Sequence, residues 1–110
     1  MAADASDVRI ALATAPDAEV AARIARALVE ERLVACANLV GSVRSIYRWQ
    51  GRVEDADEVM LVLKTRVDRV DALAERLRAL HPYDLPELVV LPVEGGLAPY
   101  LDWVRAESAP

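Results

Sequence analysis

The densest cluster of reactive side chains in this sequence is the run His81-Pro82-Tyr83-Asp84-Leu85-Pro86-Glu87, which sets an imidazole, a phenol and two carboxylates among two prolines. A stiff loop of this kind between a helix and a strand is where function concentrates. Three chemistries fit the residues. As metal ligands, His81, Asp84 and Glu87 offer one nitrogen and two oxygen donors, and Cys36 adds sulfur if its strand passes close by. A chain with one His and one Cys cannot fill a structural zinc site alone. A soft-metal site would be shared between subunits, weakly held, or completed by water and carboxylate. As a hydrolase, Cys36 would be the nucleophile and His81 the base, oriented by Asn38 or Asp84. As plain structure, His81 caps a helix C-terminus, the prolines stop a helix and start a strand, and Cys36 is filler in the apolar stretch Leu33-Val34-Ala35-Cys36-Ala37.

Lys64 and Glu58 share the parity opposite to Val59, Leu61 and Leu63, so a period-2 strand places both on its other side. A lysine at the end of an apolar strand either binds an anionic ligand or forms an ordinary ion pair. Gly95-Gly96 lacks the spacing of a phosphate-cradling loop and reads as a turn. Tyr100 and Trp103 read as packing residues of a short helix.

The elements that must position these groups follow from pattern. The chain has 110 residues, 55% of them hydrophobic, which suits one domain with its own core. Its net charge of -5 argues against a nucleic-acid partner. The longest run free of charged residues, Leu33 to Val43, is far shorter than a membrane span, so no membrane partner is expected. Met1 to Asp7 shows no secretory signal, and a cytoplasmic location is the expectation. A single Cys rules out an intramolecular disulfide.

Val8, Ile10 and Leu12 alternate as in a strand, and Asp17 then offers a helix start. Val20, Ile24 and Leu28 give that helix its stripe to about Glu31. Leu33–Leu39 reads as a buried strand. Val43–Trp49 and Arg52–Thr65 form a hairpin turning at Gln50-Gly51. Val67, Val70, Leu73, Leu77 and Leu80 mark a second helix, with Asp68 as N-cap and Pro82 just past its end. Leu88–Val93 is a strand that Pro92 assigns to an edge, and Leu97–Glu107 is a closing helix. The order β-α-β-β-α-β plus a terminal helix predicts an α+β ferredoxin-like split βαβ sandwich over residues 8–107. A loose segment at 1–7 and a tail at 108–110 complete the chain. The hairpin exceeds the usual strand length, and its projecting edge, with Tyr47 and Trp49, calls for pairing with another subunit.

The motifs together resemble the CutA family of divalent-cation tolerance proteins. They are Thr14-Ala15-Pro16; Ala27-Leu28-Val29-Glu30 with Leu33-Val34-Ala35-Cys36-Ala37-Asn38; Ser45-Ile46-Tyr47-Arg48-Trp49-Gln50-Gly51; Leu63-Lys64-Thr65; His81-Pro82-Tyr83 with Pro86-Glu87; and Tyr100-Leu101-Asp102-Trp103. The resemblance implies a homotrimer similar in architecture to the PII signal-transduction proteins, joined through the long hairpins. It also implies tolerance of divalent metals, copper in particular, without enzymatic activity. Some animal relatives are linked to anchoring acetylcholinesterase at membranes.

Carried onto this chain, the resemblance implies a pocket between subunits lined by Cys36, Asn38, Tyr47, Trp49, Lys64, His81, Tyr83 and Glu87. His81 and Asp84 are the expected metal residues, and a weakly held divalent metal such as copper is the expected cofactor. The copper ligands proposed in the family include a cysteine before Thr-Ala-Pro and two histidines before Pro-Tyr. Here those positions read Ala13 and Leu80-His81, so of that set only His81 is present. The alternative function is a PII-like regulatory module that holds a small anionic metabolite near Trp49 and Lys64.

Overall fold

The computed structural model describes residues 3–110. Strand β1 (Ala3–Asp4) leads into β2 (Val8–Ala15), helix α1 (Ala18–Glu30), the long strands β3 (Cys36–Trp49) and β4 (Arg52–Arg66), and helix α2 (Val70–Leu80). Strand β5 (Val89–Pro92), the short β6 (Gly95–Gly96) and helix α3 (Ala98–Glu107) follow. The main sheet is antiparallel throughout in the order β3-β4-β2-β5, the split βαβ arrangement that the element order predicts. Pro92 lies on the edge strand β5, where a missing donor is tolerated.

Local chemistry explains the elements. Asp17 caps α1 through a carboxylate oxygen that accepts from the Val20 N–H at 2.8 Å. The buried stripe Ala21, Ile24, Ala25 and Leu28 meets Leu61 and Leu63 of β4 and Ala11, Ala13 and Ala15 of β2. Leu73 and Leu77 of α2 close the same core. At the hairpin tip Gln50 (φ 49°) and Gly51 (φ 78°) both take the left-handed backbone of a tight two-residue turn. A register shift between Val40 and Val43 lets β3 run on as one strand through Gly41. The molecule measures 45 × 28 × 22 Å, elongated as a projecting hairpin requires.

Several expectations need correction. Of the segment expected to be loose, Met1 and Ala2 lie outside the described residues, while residues 3–7 are ordered: Ala3 and Asp4 pair with Gly96 and Gly95, and Ala5 is fully buried. Gly95-Gly96 is therefore a strand partner rather than a turn, and a Cβ on Gly96 would stand 3.3 Å from Leu101 Cδ2. The 108–110 tail is also fixed. Ser108 is buried, its hydroxyl donating to the Val104 carbonyl, and Arg32 donates to the carbonyls of Ala106 and Ala109. Asp68 does not cap α2; it sits in a 3₁₀ turn (Val67–Arg69) and pairs with Arg66. Leu33–Ala35 is a buried connection that precedes β3.

Arg105 holds the N-terminal strand in place. It donates to both carboxylate oxygens of Asp7 at 3.0 Å and to the Asp4 carbonyl at 2.7 Å. Arg105→Ala should loosen the N-terminal strand with little effect on the rest of the fold, because an exposed ion pair adds little to global stability. Hydrogen exchange at residues 3–7 should accelerate while exchange in β2 and β4 stays slow.

Candidate functional site

The helices cover one side of the sheet and leave most of the other bare. Alternation along β4 sends Val59, Leu61, Leu63 and Thr65 to the helices, and Glu58, Met60, Val62 and Lys64 to the opposite side. Register adds Cys36, Asn38 and Val40 of β3, Ile10, Leu12 and Thr14 of β2, and Val89 and Leu91 of β5 to that side. Beyond the register shift Tyr47 and Trp49 face the same way, opposite Glu54 and Arg52. Cys36, Asn38, Lys64, Tyr47 and Trp49 thus share the face turned away from α1 and α2, and Met60 and Val62 separate them into two groups.

The first group is cationic. Lys64 Nζ donates to Asn38 Oδ1 at 2.7 Å, and the Cys36 thiol approaches the same oxygen at 3.6 Å. The ammonium also lies 5.7 Å from the centroid of the Tyr100 ring, within range of a cation–π contact. None of the ion pairs among the described residues involves Lys64. The packing role expected of Tyr100 and Trp103 falls instead to Leu101 and Val104. The two aromatic rings stack at 5.6 Å and are 41% and 43% exposed.

The second group is anionic. A groove of about 970 Å³ opens between the hairpin and the loop after α2, lined by Tyr47, Trp49, Glu58, Tyr83, Asp84 and Glu87 among others. Glu58 is only 7% exposed, and its Oε2 accepts from the Tyr83 hydroxyl at 2.9 Å. Desolvation, together with that hydrogen bond and the Glu58 charge, raises the Tyr83 pKa well above the ordinary phenol value, so Tyr83 remains a donor. Burial first, and then the Glu58 charge, raise the Glu87 pKa above the ordinary glutamate value.

His81 fixes this loop. Its backbone N–H ends α2 on the Leu77 carbonyl, but its ring does not cap the helix. The imidazole is buried, with Nε2 2.7 Å from the Thr14 carbonyl and Nδ1 accepting from the Tyr83 N–H at 3.1 Å. Those partners assign the proton to Nε2, because a carbonyl can only accept. With both ring nitrogens occupied, the donor set does not fit a tight resident copper site. Among the described residues of one subunit no group of three His, Cys, Asp or Glu side chains is arranged to hold a metal ion.

The Cys-His hydrolase reading fails on geometry. Cys36 is opposite Lys64, whereas His81 bonds to Thr14, opposite Met60, four positions or roughly 13 Å along β4. The pocket inferred from the sequence is therefore divided within one subunit. Tyr47, Trp49, Tyr83 and Glu87 line the groove, Cys36, Asn38 and Lys64 stand at the far end, and His81 lies behind the loop. Glu58 was not among the inferred pocket residues, although its parity with Lys64 was readable and pointed to this face.

This fold and face define a small α+β protein of ferredoxin-like type whose polar chemistry is carried on the sheet side that its helices leave open. A family description, CutA1 divalent ion tolerance protein, matches residues 9–107, and the chain belongs to that family. It is 52% identical over 99 residues to the divalent-cation tolerance protein CutA of Thermus thermophilus, covering 90% of this chain and 96% of that one. It is 48% identical to the human protein CutA over 98 residues, 89% of this chain and 55% of the human one. The chain thus spans about half the length of that animal relative. A solved Thermus thermophilus divalent cation tolerance protein superposes with a TM-score of 0.90 at 49% identity, over 93% of this chain and 99% of that one. No helix among the described residues is long and apolar enough to cross a membrane.

The raised Glu87 carboxyl gives a signed prediction. A group whose pKa is raised by folding contributes its stability below the unfolded value and loses it as pH climbs through the folded value. Glu87→Gln should therefore raise the melting temperature slightly at pH 7, the gain being small because solvent screens an exposed carboxylate. The gain should vanish below the ordinary glutamate range. Thermal unfolding of both proteins across pH 3.5 to 7.5 checks this.

Proposed function

We propose that the chain acts in divalent-cation tolerance as a cytoplasmic homotrimer without catalytic activity, taking up cations weakly rather than holding one as a resident cofactor. The observation that carries the assembly is the bare sheet face. Val40, Val89 and Leu91 are each more than 40% exposed on it, and among the described residues β3 pairs only with β4, so its outer edge offers free backbone groups along the hairpin. A second copy that covers the face and pairs the edge buries both at once. Family membership supports the same reading.

The carboxylates of Asp84 and Glu87 at the groove supply oxygen donors for a hard or borderline cation. His81 joins them only by giving up the Tyr83 N–H, and that exchange keeps affinity low. A second reading is favoured by Lys64, a partly buried ammonium without a carboxylate partner among the described residues. Facing Cys36 and Asn38 at the open sheet side, it suits a small anionic metabolite held at a subunit boundary. Trp fluorescence that responds to such a metabolite, and fails to respond in Lys64→Ala, would support this reading.

Light scattering should give a native mass three times the 12.0 kDa of the chain, with a melting temperature that rises with protein concentration. Leu91→Glu should shift the mass towards the monomer, and a monomeric wild type would refute the assembly. In equilibrium dialysis Cu²⁺ should bind wild type roughly tenfold more tightly than His81→Ala, the equivalent of about 1.4 kcal/mol. Equal binding would remove His81 from the cation site.

A further inference from the structure

Arg32 holds a backbone conformation that its residue type does not favour. It follows the C-terminus of α1 at φ 59°, in the left-handed region. Its N–H donates to the Val29 carbonyl and the Leu33 N–H to the Leu28 carbonyl, both at 3.0 Å, the pair of bonds that closes a helix through a residue which is most often glycine. A residue with a Cβ is strained there, and such strain persists where the surroundings make use of it.

The guanidinium shows the use. Nε donates to the Ala109 carbonyl at 3.0 Å and Nη2 to the Ala106 carbonyl at 2.6 Å, while Nη1 lies 3.7 Å from Glu107 Oε2. Ala106 belongs to the last turn of α3, whose carbonyls lack partners within the helix and carry the negative end of its dipole. Arg32 thus ends its own helix with its backbone and a second helix, 74 residues on, with its side chain. Its base is firm, because the Arg32 carbonyl accepts from Arg69 Nε at 3.4 Å and the neighbouring Glu31 pairs with Arg76 of α2 at 2.8 Å.

What Arg32 holds has a small core of its own. Leu101 and Val104 of α3 pack with Ala5, Val8 and Ala35, and with Ala3 and Val93, in a cluster apart from the main core. Strand β1 pairs with β6, and Arg105 ties α3 to Asp7 and to the Asp4 carbonyl, so the terminal segments are bound to each other. Among the described residues Arg32 makes the only hydrogen bonds that reach α3 or the tail from residues 8–92. Apolar contact with Val8 and Ala35 adds to the attachment, as does the Tyr100 ring at 5.7 Å from Lys64 Nζ.

We propose that Arg32 is the clasp of a terminal cap: when it opens, α3 and the tail undock from the end of the sheet as one unit, while the sheet and its two long helices stay folded. Docked, the cap covers Val8 and Ala35 and keeps the Tyr100 ring beside Lys64; undocked, it withdraws from both. A ten-residue helix is marginal alone, so α3 loses its protection as it leaves. All of these contacts form within one chain. The device goes beyond the cation-tolerance reading and needs neither a bound cation nor a neighbouring subunit.

Hydrogen exchange of the assembled protein, followed by mass spectrometry, tests the clasp against the alternative that Arg32 serves α1 alone. Arg32→Gly suits the left-handed backbone and removes only the guanidinium grip. Exchange across residues 101–108 should then accelerate by roughly tenfold and by one common factor, with β2, β4 and α1 exchanging no faster. Trypsin should cut after Arg105, the only Lys or Arg beyond Arg78, faster by a similar factor, because cleavage draws on the undocked population. If Arg32→Gly does not give folded protein, Arg32→Asn, which also tolerates the left-handed region, takes its place with the same expected outcome. Unchanged or slower exchange across 101–108 would show that Arg32 only terminates α1 and would overturn the proposal. Acceleration shared equally by β2 and β4 would overturn it too, because the cap would then be no unit of its own.

Discussion

A sheet whose two long helices lie on one side must dispose of its other side, and the rest of this structure depends on how it does so. The core between sheet and helices is complete within one chain: Ile24, Leu28, Leu73 and Leu77 close over Leu61 and Leu63. Helix α3 covers only one end of the opposite face, where Leu101 and Val104 pack on Val8 and Ala35. The remainder presents apolar residues in the middle and charged or aromatic ones towards the ends. Apolar surface left to water is costly, so this layout links assembly to ligand chemistry, because whatever covers the middle of the face also borders the polar groups at its ends.

The fold was legible because its signals are local and repeated. Two helical stripes, the Gln50-Gly51 turn and the proline of the edge strand each carry their own physical instruction. What could not be read locally were features that depend on distant partners. Asp68 has the type and place of an N-cap, but Arg66 two residues earlier takes its carboxylate. Residues 3–7 have a loose composition and are ordered only because Gly95 and Gly96 present a backbone partner. Leu33–Ala35 is apolar enough for a strand, but it packs as a connection because pairing with β4 begins at Cys36.

The candidate site was legible in its membership more than in its arrangement. Parity along β4 already separated Glu58 and Lys64 from the core residues between them, and the structure places both on the bare face. Residue types alone could not show that Met60 and Val62 hold the two groups apart, nor that Thr14 and Tyr83 would claim both nitrogens of His81. An imidazole in a loop of carboxylates invites a metal reading. Hydrogen-bonded to backbone on both sides, it acts here as a rivet that sets where Tyr83, and through it Glu58, must stand.

The pairing of Ala3–Asp4 with Gly95–Gly96, tightened by Arg105, bears on how the chain is made. Synthesis runs from the N-terminus, so β1 emerges long before the Gly95–Gly96 partner that fixes it. The main sheet can be assembled from β2 to β5 while β1 is still unanchored, and the N-terminal strand locks only after α3 has left the ribosome. Locking of β1 thus waits on α3, and a nascent chain stalled before Arg105 carries a nearly finished sheet with β1 untied.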